Sequence, residues 1–262
     1  MKLNYKFYSI ESGSRNSSDP VKNIIILHGL FGSSKNWVTV SKQLANDFNV
    51  YSIDLRNHGD SPHSSDHSIP LMAQDLEEFI KDHKLENVCL LGHSMGGLVA
   101  MYFDLTHPHF LKSIMIQDIS PRTYPFVYEN EIKAMSIDLE RAKSRSEIDD
   151  LMKNHVPDLF IRQFLQMNLE RNSEGGYYWK LNVKALGDSK NLFTNLFETL
   201  KPSLTPALFI LGGSSEYILK TDIDQIQRFY HAPKIQTIPN GGHYIHYTHA
   251  PEFMKIISDF IN

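Results

Sequence analysis

Val88-Cys89-Leu90-Leu91-Gly92-His93-Ser94-Met95-Gly96-Gly97 runs an apolar, strand-length segment into an apolar helix through a serine flanked by glycines. Val88 to Leu91 predicts a buried strand, and Gly96 to His107, stopping before Pro108, predicts a buried helix. The G-x-S-x-G spacing is what a sharp strand-to-helix turn demands, because crowding there leaves no room for side chains beside the serine. Such a turn lifts the Ser94 hydroxyl clear of the backbone. Three fixed positions in five are weak by themselves, and the strand before and helix after give the pattern its weight.

Outward from that turn, β-like runs alternate with amphipathic helices, the pattern of a mostly parallel sheet covered on both faces. Upstream lie the strand Asn23 to Leu27, a helix over Ser33 to Asn46, the strand Asn49 to Asp54 and a helix opening at Pro70. Downstream, Leu111 to Asp118 resumes the strands. The rhythm breaks between Pro121 and about Leu200, then returns with the strand Ala207 to Leu211, a helix at Asp222 to Tyr230, the strand Lys234 to Ile238 and a helix from Pro251 to Ile261. The expected organisation is one α/β core, 1–120 plus 200–262, carrying a helical lid at 121–199. The polar stretch from Ser12 to Pro20 is expected to be a surface loop.

Composition narrows the function. A net charge of −4 with no long basic block argues against nucleic acid as a partner. No run approaches a membrane span, and Met1 to Lys6 lacks the apolar core of a secretory signal, so the expected location is cytoplasmic. The single cysteine, Cys89, sits in an apolar run and is expected to be buried and inert. His63 and His67 are four apart, but in a loop rather than on a helix, so neither a metal nor any other cofactor is expected.

A serine hydroxyl needs an imidazole to take its proton and return it to the leaving group. Of thirteen histidines, His243 in Gly241-Gly242-His243 follows the last strand, where a loop can carry it over the sheet's C-terminal edge; His246 is its rival. His28-Gly29-Leu30-Phe31-Gly32 follows another strand, and amides in such a turn can face a developing oxyanion. Met95 supplies one such N–H and either Leu30 or Phe31 the other.

His28-Gly29, Asp54-Leu55-Arg56-Asn57-His58-Gly59-Asp60-Ser61, Gly92 to Gly97 and Gly242-His243 together resemble the α/β-hydrolase family over most of the chain. His28 to Ser33 and Asp118-Ile119-Ser120-Pro121 are further similar to its small bacterial esterases of the YbfF type, and so, within the lid, is Trp179 to Asn182. The resemblance implies an α/β-hydrolase fold, the chain order Ser, acid, His, and an acyl-enzyme resolved by water. It also implies that Asp54 to Ser61 is a structural turn, with Arg56 and His58 holding loops.

The acid that orients His243 has two candidates. Many family members carry it after the strand that is here Ala207 to Leu211, where Glu216 is the nearby carboxylate; in the YbfF-like group it follows the earlier strand, as Asp118 does. Gly212-Gly213-Ser214-Ser215-Glu216 leaves the register ambiguous, whereas Asp118 ends an apolar strand at the edge of a shielded site. Asp118 is the favoured acid and Glu216 the alternative.

The expected substrate is a small-molecule ester or thioester. Phe126, Tyr128, Phe160, Phe164, Tyr177, Tyr178 and Trp179 can line an acyl pocket or pack the lid. Residues 121–190 carry eleven Lys and Arg against eleven Asp and Glu, so no positive field favours a nucleotide-bearing thioester; Arg141 and Arg145 could meet phosphates but suit a solvated helix face. The competing readings are another chemistry on the same fold, such as carbon–carbon bond hydrolysis or cofactor-free haloperoxidase activity, and a binding protein without turnover. A serine at position 94 argues against dehalogenases and epoxide hydrolases, which use aspartate there.

Overall fold

Five consecutive buried residues, Asn23-Ile24-Ile25-Ile26-Leu27, mark a strand covered on both faces, and the computed structural model puts it near the centre of a sheet. The structure describes residues 1–10, 22–140 and 142–261. The expected loop at Ser12 to Pro20 and the residue Arg141 therefore lie outside the described residues.

The elements run β1 (Tyr5–Tyr8), β2 (Asn23–Leu27), α1 (Val38–Leu44), β3 (Asn49–Ile53), α2 (Ile69–Asp82), β4 (Val88–His93), α3 (Met95–Thr106) and β5 (Leu111–Gln117). Next come α4 (Glu129–Met135), α5 (Arg145–Met152), α6 (Leu159–Gln166), β6 (Leu169–Arg171), β7 (Tyr177–Trp179) and α7 (Val183–Asp188). The chain closes with β8 (Ala207–Gly212), α8 (Asp222–Phe229), β9 (Lys234–Ile238), α9 (Ile245–Thr248) and α10 (Ala250–Ile261). The seven-stranded sheet has the order β1-β3-β2-β4-β5-β8-β9, with β1 antiparallel to β3 and every other pairing parallel.

Alternation along the central strands builds the two cores. Ile25 and Leu27 point with Val88 and Leu90 into the layer of α2 and α3, whereas Ile24 and Ile26 point with Cys89 and Leu91 toward Trp37, Phe253 and Ile257. Each such side chain contributes roughly 1.5–3 kcal/mol of burial. Cys89 is a free, buried thiol, pushed up in pKa by that burial.

The parallel strands deliver their C-terminal ends to one edge. The turns after β2, β4, β5, β8 and β9 carry Leu30, Ser94, Asp118, Ser215 and His243 respectively. Residues 121–199 depart between β5 and β8 and hold α4 to α7. They also hold an antiparallel pair, β6 with β7, where the sequence had predicted only helix. Its cause is local: Asn172 Oδ1 accepts from the amides of Glu174 and Gly176, and Gly175 takes φ +86°, closing a short loop that the alternation of two three-residue strands is too brief to announce.

This segment is tied to the core beside the future site. Asn168 Nδ2 donates to the Phe31 carbonyl at 2.8 Å, the Asn182 amide donates to the Asn57 carbonyl at 3.0 Å, and Lys180 pairs with Asp60. Arg145 spends its guanidinium on the carbonyls of Gln166 and Leu169, at 2.6 and 2.7 Å, so it braces the segment instead of facing a phosphate.

Candidate active site

Ser94 adopts φ 52° and ψ −119°, outside the conformations L residues prefer, and its amide donates to the Gln117 carbonyl at 3.1 Å. The flanking glycines are obligatory. A Cβ on Gly92 would lie 2.4 Å from the Gly96 carbonyl oxygen, and one on Gly96 would lie 2.3 Å from the Leu27 carbonyl oxygen. The turn therefore exists because two backbone approaches exclude side chains, as the spacing predicted.

His243 follows β9 and reaches back over the sheet. Its Nδ1 donates to Asp118 Oδ2 at 2.7 Å, which leaves Nε2 as the acceptor, and the ring lines the same cavity as Ser94. Asp118 is fully buried, with φ +53°; Oδ1 accepts from the Gly212 amide at 2.7 Å and Oδ2 from the Ser215 hydroxyl. Glu216 is exposed, and the hydrogen bond and ion pair of the His243 ring are made with Asp118. The Gly-rich loop after β8 thus supplies donors to Asp118 in place of a carboxylate of its own.

Several groups holding this arrangement gave no signal in the sequence. Tyr217 stacks on the His243 ring, centroids 3.8 Å apart and planes within 16°. The backbone carbonyl of His243 accepts from His93 Nε2 and from Gln117 Nε2, each at 3.0 Å. Gln117 also donates to Nδ1 of His246, which stacks on Trp37 at 4.3 Å. His246, the rival general base, is buried on the far side of this support and stays neutral, its pKa lowered by burial to about 3.

The turn after β2 is built on two more buried histidines. His28 Nδ1 donates to the Gly29 carbonyl while Nε2 accepts from the Leu55 amide; His58 Nδ1 donates to the Arg56 carbonyl while Nε2 accepts from the Phe31 amide at 3.3 Å. The Phe31 N–H is consequently engaged by His58. Arg56 in turn forms a bidentate pair with Asp75, and Asp54 accepts from the amides of Ser34 and Asp60.

These scaffold histidines predict an acid-labile fold. Burial lowers the pKa of His28, pushes His58 and His93 well below the usual value, and takes His67 and His246 to about 3. The unfolded chain then binds more protons than the native one between about pH 6.5 and 3, so stability is complete above that window and drains as pH falls through it. Urea titrations at pH 7 and pH 5 are expected to differ by at least a few kcal/mol, since each such histidine costs up to about 1.4 kcal/mol per pH unit. Equal midpoints at the two pH values would refute it.

Ser94 opens into two spaces. The larger, about 310 Å³, is lined chiefly by Met95, Leu98, Ile119, Tyr124, Val127 and Phe193, with Arg122 and Glu216 also on its wall; the smaller, about 80 Å³, by Leu30, Glu131, Phe164, Leu165, His243 and Tyr244. Tyr128 and Tyr217 border both and join hydroxyls at 3.1 Å. Of the seven aromatics singled out in the sequence, only Tyr128 and Phe164 line these spaces. Tyr177, Tyr178 and Trp179, being on and around β7, border a separate groove with α4 and α7; Phe160 lies at the outer rim against Tyr244, and Phe126 packs on Tyr128. No group of His, Cys, Asp and Glu among the described residues is arranged to hold a metal ion.

The family model for the alpha/beta hydrolase fold matches residues 22–250, and the chain belongs to that family. It is 34% identical over 247 residues to the mouse sn-1-specific diacylglycerol lipase ABHD11, covering 91% of this chain and 80% of that one. It is 29% identical to Escherichia coli esterase YbfF over the full length of both. A solved marine microorganism esterase superposes with a TM-score of 0.92 at 36% identity, covering 99% of each chain. The protein is a carboxylesterase-type hydrolase. Among the described residues no helix is long and apolar enough to cross a membrane.

Proposed function

We infer that the protein hydrolyses carboxylic esters of small to medium acyl chains through a Ser94 acyl-enzyme, with thioesters within its reach. The observation that carries this reading is the 2.7 Å bond from His243 Nδ1 to buried Asp118, with the ring and Ser94 on the wall of one cavity. In the inferred reaction His243 Nε2 takes the hydroxyl proton as Ser94 Oγ attacks the carbonyl carbon. The same nitrogen returns the proton to the leaving oxygen, and water then attacks the acyl-enzyme by the reverse route. Asp118 holds the tautomer and stabilises the imidazolium; the face of Tyr217 lies against the cation as it forms.

The amides of Met95 and Leu30 are the inferred oxyanion donors. Leu30 is preferred over Phe31 because the Phe31 N–H is already given to His58. The acyl chain is assigned to the larger space, whose lining is chiefly apolar and whose size lies at the lower end of the roughly 300–1,000 Å³ typical of ligand cavities. Residues 121–199 act as the lid over it.

The test is hydrolysis of p-nitrophenyl esters from acetate to palmitate. kcat/KM is expected to peak at short to medium chains and to fall at least tenfold by palmitate. Fluorophosphonate labelling of Ser94 without turnover of any ester would instead favour a binding protein.

A further inference from the structure

We propose that Glu131 is a specificity-determining residue that recognises a hydroxyl on the alcohol half of the substrate. This deepens the esterase reading and rests on Ser94 and His243 being its reacting groups.

The two spaces at Ser94 are not equivalent. A leaving oxygen must be within reach of the imidazole that protonates it, and His243 lines only the smaller space. The acyl chain and the alcohol are thereby sorted: the apolar cavity takes the former, the small compartment the latter. Into that compartment α4 projects Glu131, among Tyr128, Tyr217 and Tyr244. Its Oε2 is shielded from solvent and has no hydrogen-bond partner, and the side chain makes no ion pair among the described residues.

A carboxyl oxygen left unpaired in a cleft carries a desolvation cost that a ligand can relieve. Burial also raises the Glu131 pKa. Whether it accepts from a substrate hydroxyl as the carboxylate or donates to it as the acid, a hydroxyl satisfies it and a methyl group does not. The small volume confines that hydroxyl to a carbon near the ester oxygen, as in a monoester of a vicinal diol. A site built to hydrogen-bond a polar group discriminates against the analogue lacking it more sharply than an apolar pocket discriminates by size.

The experiment compares 2-hydroxyethyl butyrate with propyl butyrate, which share the acyl group and differ by hydroxyl against methyl. Released butyrate is titrated for wild type, Glu131→Gln and Glu131→Leu. Wild type is expected to favour the hydroxyl ester, Glu131→Leu to lower the ratio of the two kcat/KM values about tenfold, and Glu131→Gln, which keeps an acceptor, to lower it less. The change in ratio is decisive, because a neighbouring hydroxyl also activates an ester chemically and because a ratio is insensitive to the fraction of folded enzyme. An unchanged ratio in Glu131→Leu overturns the assignment of Glu131 while leaving the esterase reading intact. Wild type inert toward both esters, with p-nitrophenyl esters likewise untouched, overturns the esterase reading itself.

Discussion

Replacing Ser94 by alanine is expected to lower kcat toward p-nitrophenyl butyrate by on the order of 10⁴-fold or more, since removal of an activated serine leaves only the contributions of oxyanion donors and binding. The fold should tolerate the change. The unusual backbone at position 94 is imposed by the approach of Gly92 and Gly96 to neighbouring carbonyls, and alanine lacks only the hydroxyl. Steady-state rates with active-site titration, accompanied by a thermal melt, check both halves. A variant that retains more than a few per cent of wild-type kcat would move the nucleophile elsewhere.

The second large effect is expected at Asp118. Asparagine there preserves volume but presents an amide that can offer its NH₂ to His243 Nδ1, favouring the tautomer with the proton on Nε2, where a base is needed. Losses of about 10³–10⁴-fold in kcat accompany such a change in serine hydrolases generally. Glu216→Gln is expected to stay within about twofold of wild type, because Glu216, although it borders the larger space, is exposed, and the carboxylate bonded to His243 Nδ1 is that of Asp118. Comparable damage from the two substitutions would overturn the choice of acid. Asp118→Asn also disturbs the bonds from Gly212 and Ser215, so a melt must accompany the rates.

How much of this was legible in the sequence depended on how local the cause was. The turn at Ser94 was readable because steric exclusion acts between residues 92 and 97 and leaves glycine as its trace. The parallel sheet was readable because strands buried on both faces become unbroken apolar runs such as Asn23 to Leu27. Asp118 was readable as a carboxylate at the end of such a run, but the two adjacent glycines at 212 and 213 left Glu216 in contention, and only the fold shows that this loop donates hydrogen bonds to Asp118.

The remaining features are made by residues far apart in the chain. Nothing at position 217 indicates that its ring covers His243, and the loop-holding role expected of His58 did not say that the loop is the one carrying the amide of Phe31. Glu131 reads as one acidic residue on a short helix until the cavity around it is seen. The aromatic count between residues 121 and 199 misled for a related reason: composition cannot say which rings face inward, and Tyr177 to Trp179 border a groove of their own.

The bond from Asn168 to the Phe31 carbonyl has a consequence for engineering. Segments such as 121–199 invite exchange between relatives as a means of transferring substrate preference, on the assumption that core and insertion are separable modules. Here the insertion grips the loop that carries Leu30, while His58 grips the same loop from beneath. A graft that brings a foreign insertion without an equivalent of Asn168 would leave the host's turn after β2 held on one side only. Chimeras of this protein should therefore take the turn and the insertion from the same parent.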